Sequence, residues 1–297
     1  MRLPVVVGVD GSQGSLRALD WAAAEAARSA LPLRLVHASL WERYEGTHAA
    51  SDTGRPTEEI VAEQLVATAQ ERARRVDPEL SVVTSVQPED PVAALVRESH
   101  EAALVVLGSR GRGRIAGMLL GSVSLALAGR SHCPVVVVQA KAPGTPPKPG
   151  RVVVGIGSAA GPSAAAAFAL DRAAARHGEL IAVRAWRAPA HEAMSHPLLT
   201  GSPAAAHHQQ AEEHLDEVLA TLDRTDSSEV TLHRSVVQGP AHQELIEAAA
   251  DAELLVVGAR RGSGWRGLHL GPVNHAMLHY APCPVAVVPD AYLSSRA

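Results

Sequence analysis

The feature that most constrains this chain is an internal repeat. Residues 5–10 align with residues 152–157 at an offset of 147, and residues 104–134 align with residues 254–284 at an offset of 150 without a gap. An alignment of this length is not expected by chance, so the chain is a tandem duplication. Each copy is therefore expected to form the same kind of domain.

The repeat predicts two domains, at residues 1–140 and 151–290, joined by a linker at residues 141–150. The linker contains four prolines and two glycines, a composition that favours a semi-extended segment outside both cores. At 297 residues the chain also exceeds the usual size of a single hydrophobic core.

Each copy alternates short apolar runs with amphipathic stretches. Strands are predicted in the first copy near residues 4–9, 33–39, 80–86, 104–108 and 135–139. Helices are predicted between them, near residues 13–29, 57–76, 90–101 and 121–131. In the second copy, strands are predicted near residues 151–156, 180–186, 229–236, 254–258 and 284–288. This alternation predicts a doubly wound α/β fold in each copy, with a Rossmann-like five-stranded parallel sheet flanked by helices.

The composition argues against several classes of partner and location. A net charge of −4 and a pI near 6.4 predict no general attraction to nucleic acid or to an anionic membrane. No apolar run approaches the about 20 residues of a membrane span, and the N-terminus enters a strand-like run without the layout of a signal peptide. We therefore expect a cytoplasmic protein. Cys133 and Cys283 are predicted to be buried thiols, with a disulfide between them as the minor alternative.

A glycine-rich loop follows the fourth predicted strand of the first copy. It has the spacing Gly-x2-Gly-x9-Gly-Ser, from Gly108 through Gly111 to Gly121 and Ser122. We expect Gly108 and Gly111 to use backbone angles that a β-carbon forbids and to let the main chain approach a ligand. The amides and hydroxyls of residues 121–124 would then meet an anion at a helix N-terminus. The alternative is a tight strand-to-helix loop with a capping serine.

Lysine is almost absent, which restricts how phosphate could be bound. Only Lys141 and Lys148 are lysines among 27 basic residues, and both lie in the predicted linker. A Walker-type phosphate loop needs a lysine, so it is excluded within the domains. Backbone amides, hydroxyls and the arginines Arg110, Arg112 and Arg114 would have to serve instead.

Asp10 follows the first strand, at the edge of the sheet where doubly wound folds bind ligands. Its carboxylate could accept hydrogen bonds from ribose hydroxyls. It could also cap the first helix, and Ser12 is a second candidate for that cap. The two roles of Asp10 do not exclude each other.

Five segments together resemble the universal stress protein family in its tandem, ATP-binding form. They are Val-Val-Gly-Val-Asp-Gly-Ser at 6–12, Leu-Val-His-Ala at 35–38, Gly-Ser-Arg-Gly-Arg-Gly at 108–113, Leu-Leu-Gly-Ser-Val-Ser at 119–124 and Cys-Pro-Val-Val-Val at 133–137. One departure lies at residues 88–91, Pro-Glu-Asp-Pro, where the family usually has a glycine before the proline.

The resemblance implies an adenine nucleotide alpha hydrolase-like sheet that holds ATP, with Mg²⁺ as a companion left open. Asp10 would contact ribose, Ala38 would line the adenine pocket, and residues of the glycine loop would surround the phosphates. The predicted nucleotide-binding residues are Gly8, Val9, Asp10, Ala38, Leu107, Gly108, Arg110, Gly111, Gly113, Arg114, Gly121, Ser122, Val123 and Ser124. The family also implies that the last strands of the two domains pair as an intramolecular pseudo-dimer. A homodimer of whole chains stays open.

The second copy departs from the first at the positions that matter most. Asp10 corresponds to Gly157, Gly111 to Arg261 and Ser122 to Pro272. We therefore expect this copy to bind ATP weakly or not at all. The opposing possibility is a modified anion site built from Gly258, Arg260, Arg261, Gly262 and Gly264.

No constellation typical of fast catalysis is evident in the sequence. The histidines at 191, 196, 207, 208 and 214 lack the spacing of a metal-ligand pair, and no catalytic residues are predicted. We expect a binding module regulated by ATP, with slow hydrolysis or none. A nucleotide-dependent transferase and a nucleotide-free interaction protein are the alternatives.

Overall fold

The fold is described by a computed structural model that covers residues 2–40, 57–111, 120–139, 146–158, 161, 163–188, 203–223, 225–227, 229–259 and 270–295. These residues divide into two compact units, the first up to residue 139 and the second from residue 146. Part of the predicted linker, residues 141–145, lies outside the described residues.

The first unit is a five-stranded parallel sheet with four helices. Its elements are β1 (Val5–Gly8), α1 (Gln13–Arg28), β2 (Leu33–Ala38), α2 (Thr57–Val76), β3 (Val82–Gln87), α3 (Pro91–Glu98), β4 (Leu104–Gly108), α4 (Ser122–Arg130) and β5 (Val135–Val138). The strand order is β3-β2-β1-β4-β5, with every adjacent pair parallel.

The second unit repeats this plan. Its elements are β6 (Val152–Gly155), α5 (Ala164–Ala174), β7 (Glu179–Trp186), α6 (Pro203–Ala220), β8 (Thr231–Gln238), α7 (Ala241–Ala248), β9 (Leu254–Ala259), α8 (Pro272–Tyr280) and β10 (Val285–Pro289). Its strand order is β8-β7-β6-β9-β10, again parallel throughout. The predicted fold class, two tandem doubly wound domains, is confirmed.

The central strands are apolar on both faces because helices cover both faces. Val5, Val6 and Val7 of β1 are fully buried. Helix α1 packs on β1 and β4 through small side chains, among them Ala18 and Ala22, which let the helix approach the sheet closely. The edge strand β3 differs, since its Val83 is 53% exposed. The cores are therefore built from valine, leucine and alanine, in keeping with the low aromatic content.

The order of the strands places a crevice at the ends of β1 and β4. From β1 the chain winds outward through β2 to β3, then returns through α3 to β4 on the other side of β1. Because such crossovers are right-handed, the two directions of winding put helices on opposite faces. Helix α1 accordingly packs against α2, and α3 packs against α4. Loops leaving β1 and β4 diverge there, which is where doubly wound sheets bind ligands.

Both cysteines are buried free thiols, as predicted, and burial raises the pKa of each to about 12. They are therefore protonated and unreactive near neutral pH. In the part of the chain that the structure describes, no helix is both long enough and apolar enough to span a bilayer.

Candidate functional site

A cavity of about 350 Å³ opens at the carboxyl ends of β1, β2 and β4 in the first unit. Twelve of the fourteen predicted nucleotide-binding residues line it: Gly8, Val9, Asp10, Ala38, Leu107, Gly108, Arg110, Gly111, Gly121, Ser122, Val123 and Ser124. The other two, Gly113 and Arg114, lie outside the described residues. The volume falls within the range of about 300–1,000 Å³ found for small-molecule sites.

The carboxylate of Asp10 is held at the cavity wall by the start of α1. Ser12 is the N-cap of this helix, because its side chain accepts a hydrogen bond from the Ser15 amide at 3.1 Å. Asp10 Oδ1 accepts from the Ser12 amide at 2.9 Å. Gly11 makes the turn between them with a φ of 78°, a conformation that favours glycine. Ser12 therefore caps the helix, and Asp10 presents a positioned carboxylate to the cavity.

The N-terminus of α4 presents backbone amides to the same cavity. Gly121 is the N-cap and has no side chain to satisfy them. Within the described residues, the amides of Ser122, Val123 and Ser124 have no hydrogen-bond acceptor. Unpaired amides at a helix N-terminus, together with the helix dipole, favour an anion. The Gly121 amide itself donates to the Ser109 carbonyl at 2.7 Å and fixes the approach to the helix.

The hydroxyl of Ser124 does not face an anion as a donor, contrary to the sequence prediction. Ser124 is buried, and its hydroxyl donates to the carbonyl oxygen of Gly108 at 2.8 Å. This bond ties α4 to the end of β4 and so positions the amides of the helix. Ser122, the other hydroxyl-bearing residue among 121–124, is exposed and lines the cavity.

Neither Gly108 nor Gly111 has a positive φ, so neither uses the backbone angles that only glycine adopts readily. Gly108 is required by packing instead. A Cβ there would lie 2.4 Å from the carbonyl carbon of Gly14 in α1. At Gly111 a Cβ would lie 2.5 Å from Asp10 Oδ2. The absence of a side chain at Gly111 thus leaves room for the carboxylate.

Six further residues line the cavity and were not predicted: Ser15, Val36, His37, Ser39, Pro91 and Leu95. His37 is buried, and its Nδ1 lies 2.7 Å from the carbonyl oxygen of Val9. A polar residue near the end of β2 was a usable signal for His37. Leu95 gave no such signal, because an apolar residue on an amphipathic helix also indicates an ordinary core position.

The departure at residues 88–91 has a structural explanation. Asp90 is the N-cap of α3, with Oδ1 accepting from the amides of Val92 and Ala93 at 3.0 Å each. Pro91 follows at the first helical position, which suits proline. The aspartate therefore supplies a capping side chain that a glycine could not, and Pro91 still lines the cavity.

The second unit has a cavity of about 510 Å³ in the equivalent place. It contains Gly157 where the first unit has Asp10, and Pro272 begins α8 where Ser122 begins α4. Asn274 donates to the Gly258 carbonyl at 2.9 Å, repeating the bond of Ser124. The second unit thus keeps the hydrogen bond between helix and strand. It has no counterpart of the Asp10 carboxylate and, at Pro272, one amide donor fewer. Arg260, Arg261, Gly262 and Gly264 lie outside the described residues.

No metal centre is found among the residues that the structure describes, where no three His, Cys, Asp or Glu side chains are grouped to hold an ion. Two of the five histidines considered in the sequence, at positions 191 and 196, lie outside those residues. His208 instead pairs with Glu212 at 3.3 Å, and His214 Nε2 lies 2.9 Å from the carbonyl oxygen of Gly157.

Comparison with known proteins gives one consistent result. The universal stress protein family matches residues 1–139 and again residues 149–289. A universal stress protein of Mycobacterium tuberculosis is 38% identical over 292 residues, which cover 95% of this chain and 96% of that protein. A second one from the same organism is 30% identical over 307 residues, with 97% of each chain covered.

Among solved structures, a universal stress protein from Archaeoglobus fulgidus matches with a TM-score of 0.61 and 16% identity. The match covers 98% of this chain and 100% of that one. At this identity the likeness concerns the fold, and it agrees with the two doubly wound units.

Proposed function

The chain belongs to the universal stress protein family, and from this premise we propose that its first unit binds ATP as a regulatory module. Occupancy by the nucleotide would change the conformation of the protein or its affinity for a partner. Hydrolysis would be slow or absent. The second unit would bind ATP weakly or not at all.

One observation carries this proposal: a positioned carboxylate and a row of amides that have no acceptor among the described residues line the same cavity. A carboxylate suits the paired hydroxyls of ribose, and amides at a helix N-terminus suit phosphate oxygens. Ribose hydroxyls and phosphate oxygens occur together in a nucleotide. Because Gly111 has no side chain, the loop that leads to the amides leaves room for the Asp10 carboxylate.

The roles follow from the positions of the residues. We assign Asp10 to ribose, and Ser122, Val123 and the Arg110 side chain to the phosphates. Ala38 and Leu107 belong to the apolar wall that would receive adenine, together with Val36 and Leu95. Gly8, Val9, Gly108 and Ser124 shape the floor, and Gly113 and Arg114 remain assigned to the phosphates by the signature alone.

Slow chemistry is supported by the residue types that line the cavity. Its described lining includes no lysine, and Asp10 is its only carboxylate. Fast phosphoryl transfer uses a positioned cation, a metal held by protein ligands and a residue that orients the attacking group. Mg²⁺, where present, would be bound mainly by the phosphate oxygens.

We also propose that β5 and β10 pair with each other, which would form the intramolecular pseudo-dimer that the family implies. Each strand is the last of its sheet and is almost entirely valine or alanine. Apolar strand edges left open invite pairing with another chain. Slow amide exchange in both strands at high dilution supports the pairing, and fast exchange in either contradicts it.

Light scattering of the whole chain decides whether a homodimer forms. A cytoplasmic location also stays part of the proposal.

The ATP site is tested with two substitutions at one position. Ser122→Pro removes an amide donor and a hydroxyl but suits the first helical position, whereas Ser122→Ala removes only the hydroxyl. We expect the proline variant to lose about tenfold or more in ATP affinity by calorimetry and the alanine variant to lose less. Equal ATP affinity in wild type and Ser122→Pro would remove the loop from the binding site. The nucleotide-free interaction protein would then be favoured.

A further inference from the structure

The cavity of the second unit differs from the first in the charged group at the ends of its two central strands, where Gly157 and Arg184 take the places of Asp10 and His37. Strand pairing fixes the equivalence, because Gly8 pairs with Val36 in the first unit and Gly155 pairs with Val183 in the second. The next residue on the outer strand is His37 in one unit and Arg184 in the other. An arginine therefore replaces the buried histidine at the cavity wall.

Arg184 makes the bond that His37 makes. Its Nη1 donates to the carbonyl oxygen of Ile156 at 3.1 Å, and His37 Nδ1 lies 2.7 Å from the corresponding carbonyl of Val9. The guanidinium is thus directed across the end of β6, beside the position where the first unit has its carboxylate.

Among the described residues, the guanidinium of Arg184 has no anionic partner: no carboxylate there lies within 4.0 Å of it. Its Nε is shielded from solvent without a hydrogen-bond partner in the same part of the chain. Burial lowers the pKa of Arg184 from its ordinary value. Asp290 also lines the cavity but is exposed and makes no ion pair with this arginine. A partly buried cation without a counter-ion is unfavourable unless something else supplies the charge.

The rest of the cavity is open and largely apolar. A Cβ at Gly157 would have no atom of the described residues within 4 Å. Ile156, Val183, Leu245 and Val257 contribute apolar wall. The volume of about 510 Å³ is in the range of small-molecule sites.

We propose that this cavity binds a small organic anion, a carboxylate or phosphate group on an apolar body, with its oxygens on the Arg184 guanidinium. A planar guanidinium can bind either oxyanion through two hydrogen bonds. The apolar wall would cover the remainder of the ligand. The second unit would then bind a different class of metabolite from the ATP proposed for the first unit. This inference does not rest on ATP binding by the first unit.

The test is calorimetric titration of the full chain with hexanoate and with monohexyl phosphate, and hexanol serves as the uncharged probe. We expect at least one anion to bind, and about tenfold or more tighter than hexanol. The preferred anion distinguishes carboxylate from phosphate. Absence of binding by both anions overturns the proposal.

Two matched pairs of variants locate the site. Arg184→Met should lower the affinity for the preferred anion about tenfold or more, while Arg187→Met, at an exposed neighbouring arginine, should leave it within about twofold. Gly157→Asp would supply an internal counter-ion and should also lower it, whereas Gly157→Asn should not. Unchanged anion affinity in both Arg184→Met and Gly157→Asp overturns the proposal. ATP affinity measured on the same proteins reports on the first unit separately.

Discussion

At the scale of single residues, the site depends on what glycines leave empty. Gly108 allows the backbone of α1 to approach the end of β4, and Gly111 leaves space for the Asp10 carboxylate. The two glycines belong to one motif but have different physical roles. Substitution should therefore separate stability from binding.

Gly108→Ala should lower the free energy of unfolding by about 1–3 kcal/mol. Its Cβ would meet the backbone of Gly14 at 2.4 Å, and backbone atoms cannot move aside as a flexible side chain can. Urea denaturation measures the change. Gly157→Ala is the matched control, because its Cβ would meet no atom within 4 Å in the part of the chain that the structure describes. Equal stability of wild type and Gly108→Ala would show that this close approach is not a constraint.

Gly111→Ala should weaken ATP binding more than it affects stability. The added methyl group would meet Asp10 Oδ2, a side-chain atom and not backbone, so the fold can adjust while the carboxylate moves. Calorimetry with ATP and a thermal melt on the same sample compare the two effects. A variant that loses stability but binds ATP as the wild type does would contradict this role.

At the scale of helices and strands, polar side chains at the ends of these elements contribute to the stability of the fold, and each contribution can be measured separately. Asp90 caps α3, whose Pro91 and Leu95 line the first cavity. Asp90→Ala should lower the free energy of unfolding by about 0.5–2 kcal/mol, while Asp90→Asn keeps an acceptor and should cost less. Chemical denaturation of the three proteins gives the order, and equal stability of all three would contradict the cap.

An ion pair between Arg151 and Glu179, in the second unit, predicts that the stability of the protein depends on pH. The Arg151 guanidinium, hydrogen-bonded to Glu179 at 2.6 Å, holds the pKa of that carboxyl below its ordinary value of 4.5. Because the folded-state pKa is the lower one, the contribution to stability is present above 4.5 and is lost as the pH falls below it. Glu179→Gln should reduce the acid loss of stability measured between about pH 5 and pH 3. An unchanged slope would contradict the pairing.

The positions of strands and helices could be predicted from sequence because apolar periodicity is a local signal. The end of β1 and the start of α4 were therefore placed close to their observed positions. Contacts between distant residues could not be predicted in the same way. The approach of Gly108 to Gly14 joins positions far apart in the chain, and the Ser124 hydroxyl bond depends on how α4 meets β4. The place of Arg184 also depends on such a contact, because the register of β7 against β6 brings it to the cavity.

At the scale of the whole molecule, the duplication has kept one fold and changed one site. The first unit presents a carboxylate and the amides of a helix that begins with Ser122. The second presents Gly157, an arginine and a helix that begins with proline. Both units keep a side-chain hydrogen bond from the last helix to the end of the fourth strand, made by Ser124 in the first unit and by Asn274 in the second. The two cavities therefore share a frame and differ in groups that would touch a ligand.

The central claim is one ATP site per chain, in the first unit. Native mass spectrometry of the full chain with ATP counts bound nucleotides directly. We expect one ATP per chain for the wild type and for Arg184→Met, and a clearly lower occupancy for Ser122→Pro at an ATP concentration near the Kd of the wild type. No ATP on the wild type, two on each chain, or equal occupancy of Ser122→Pro would contradict the claim.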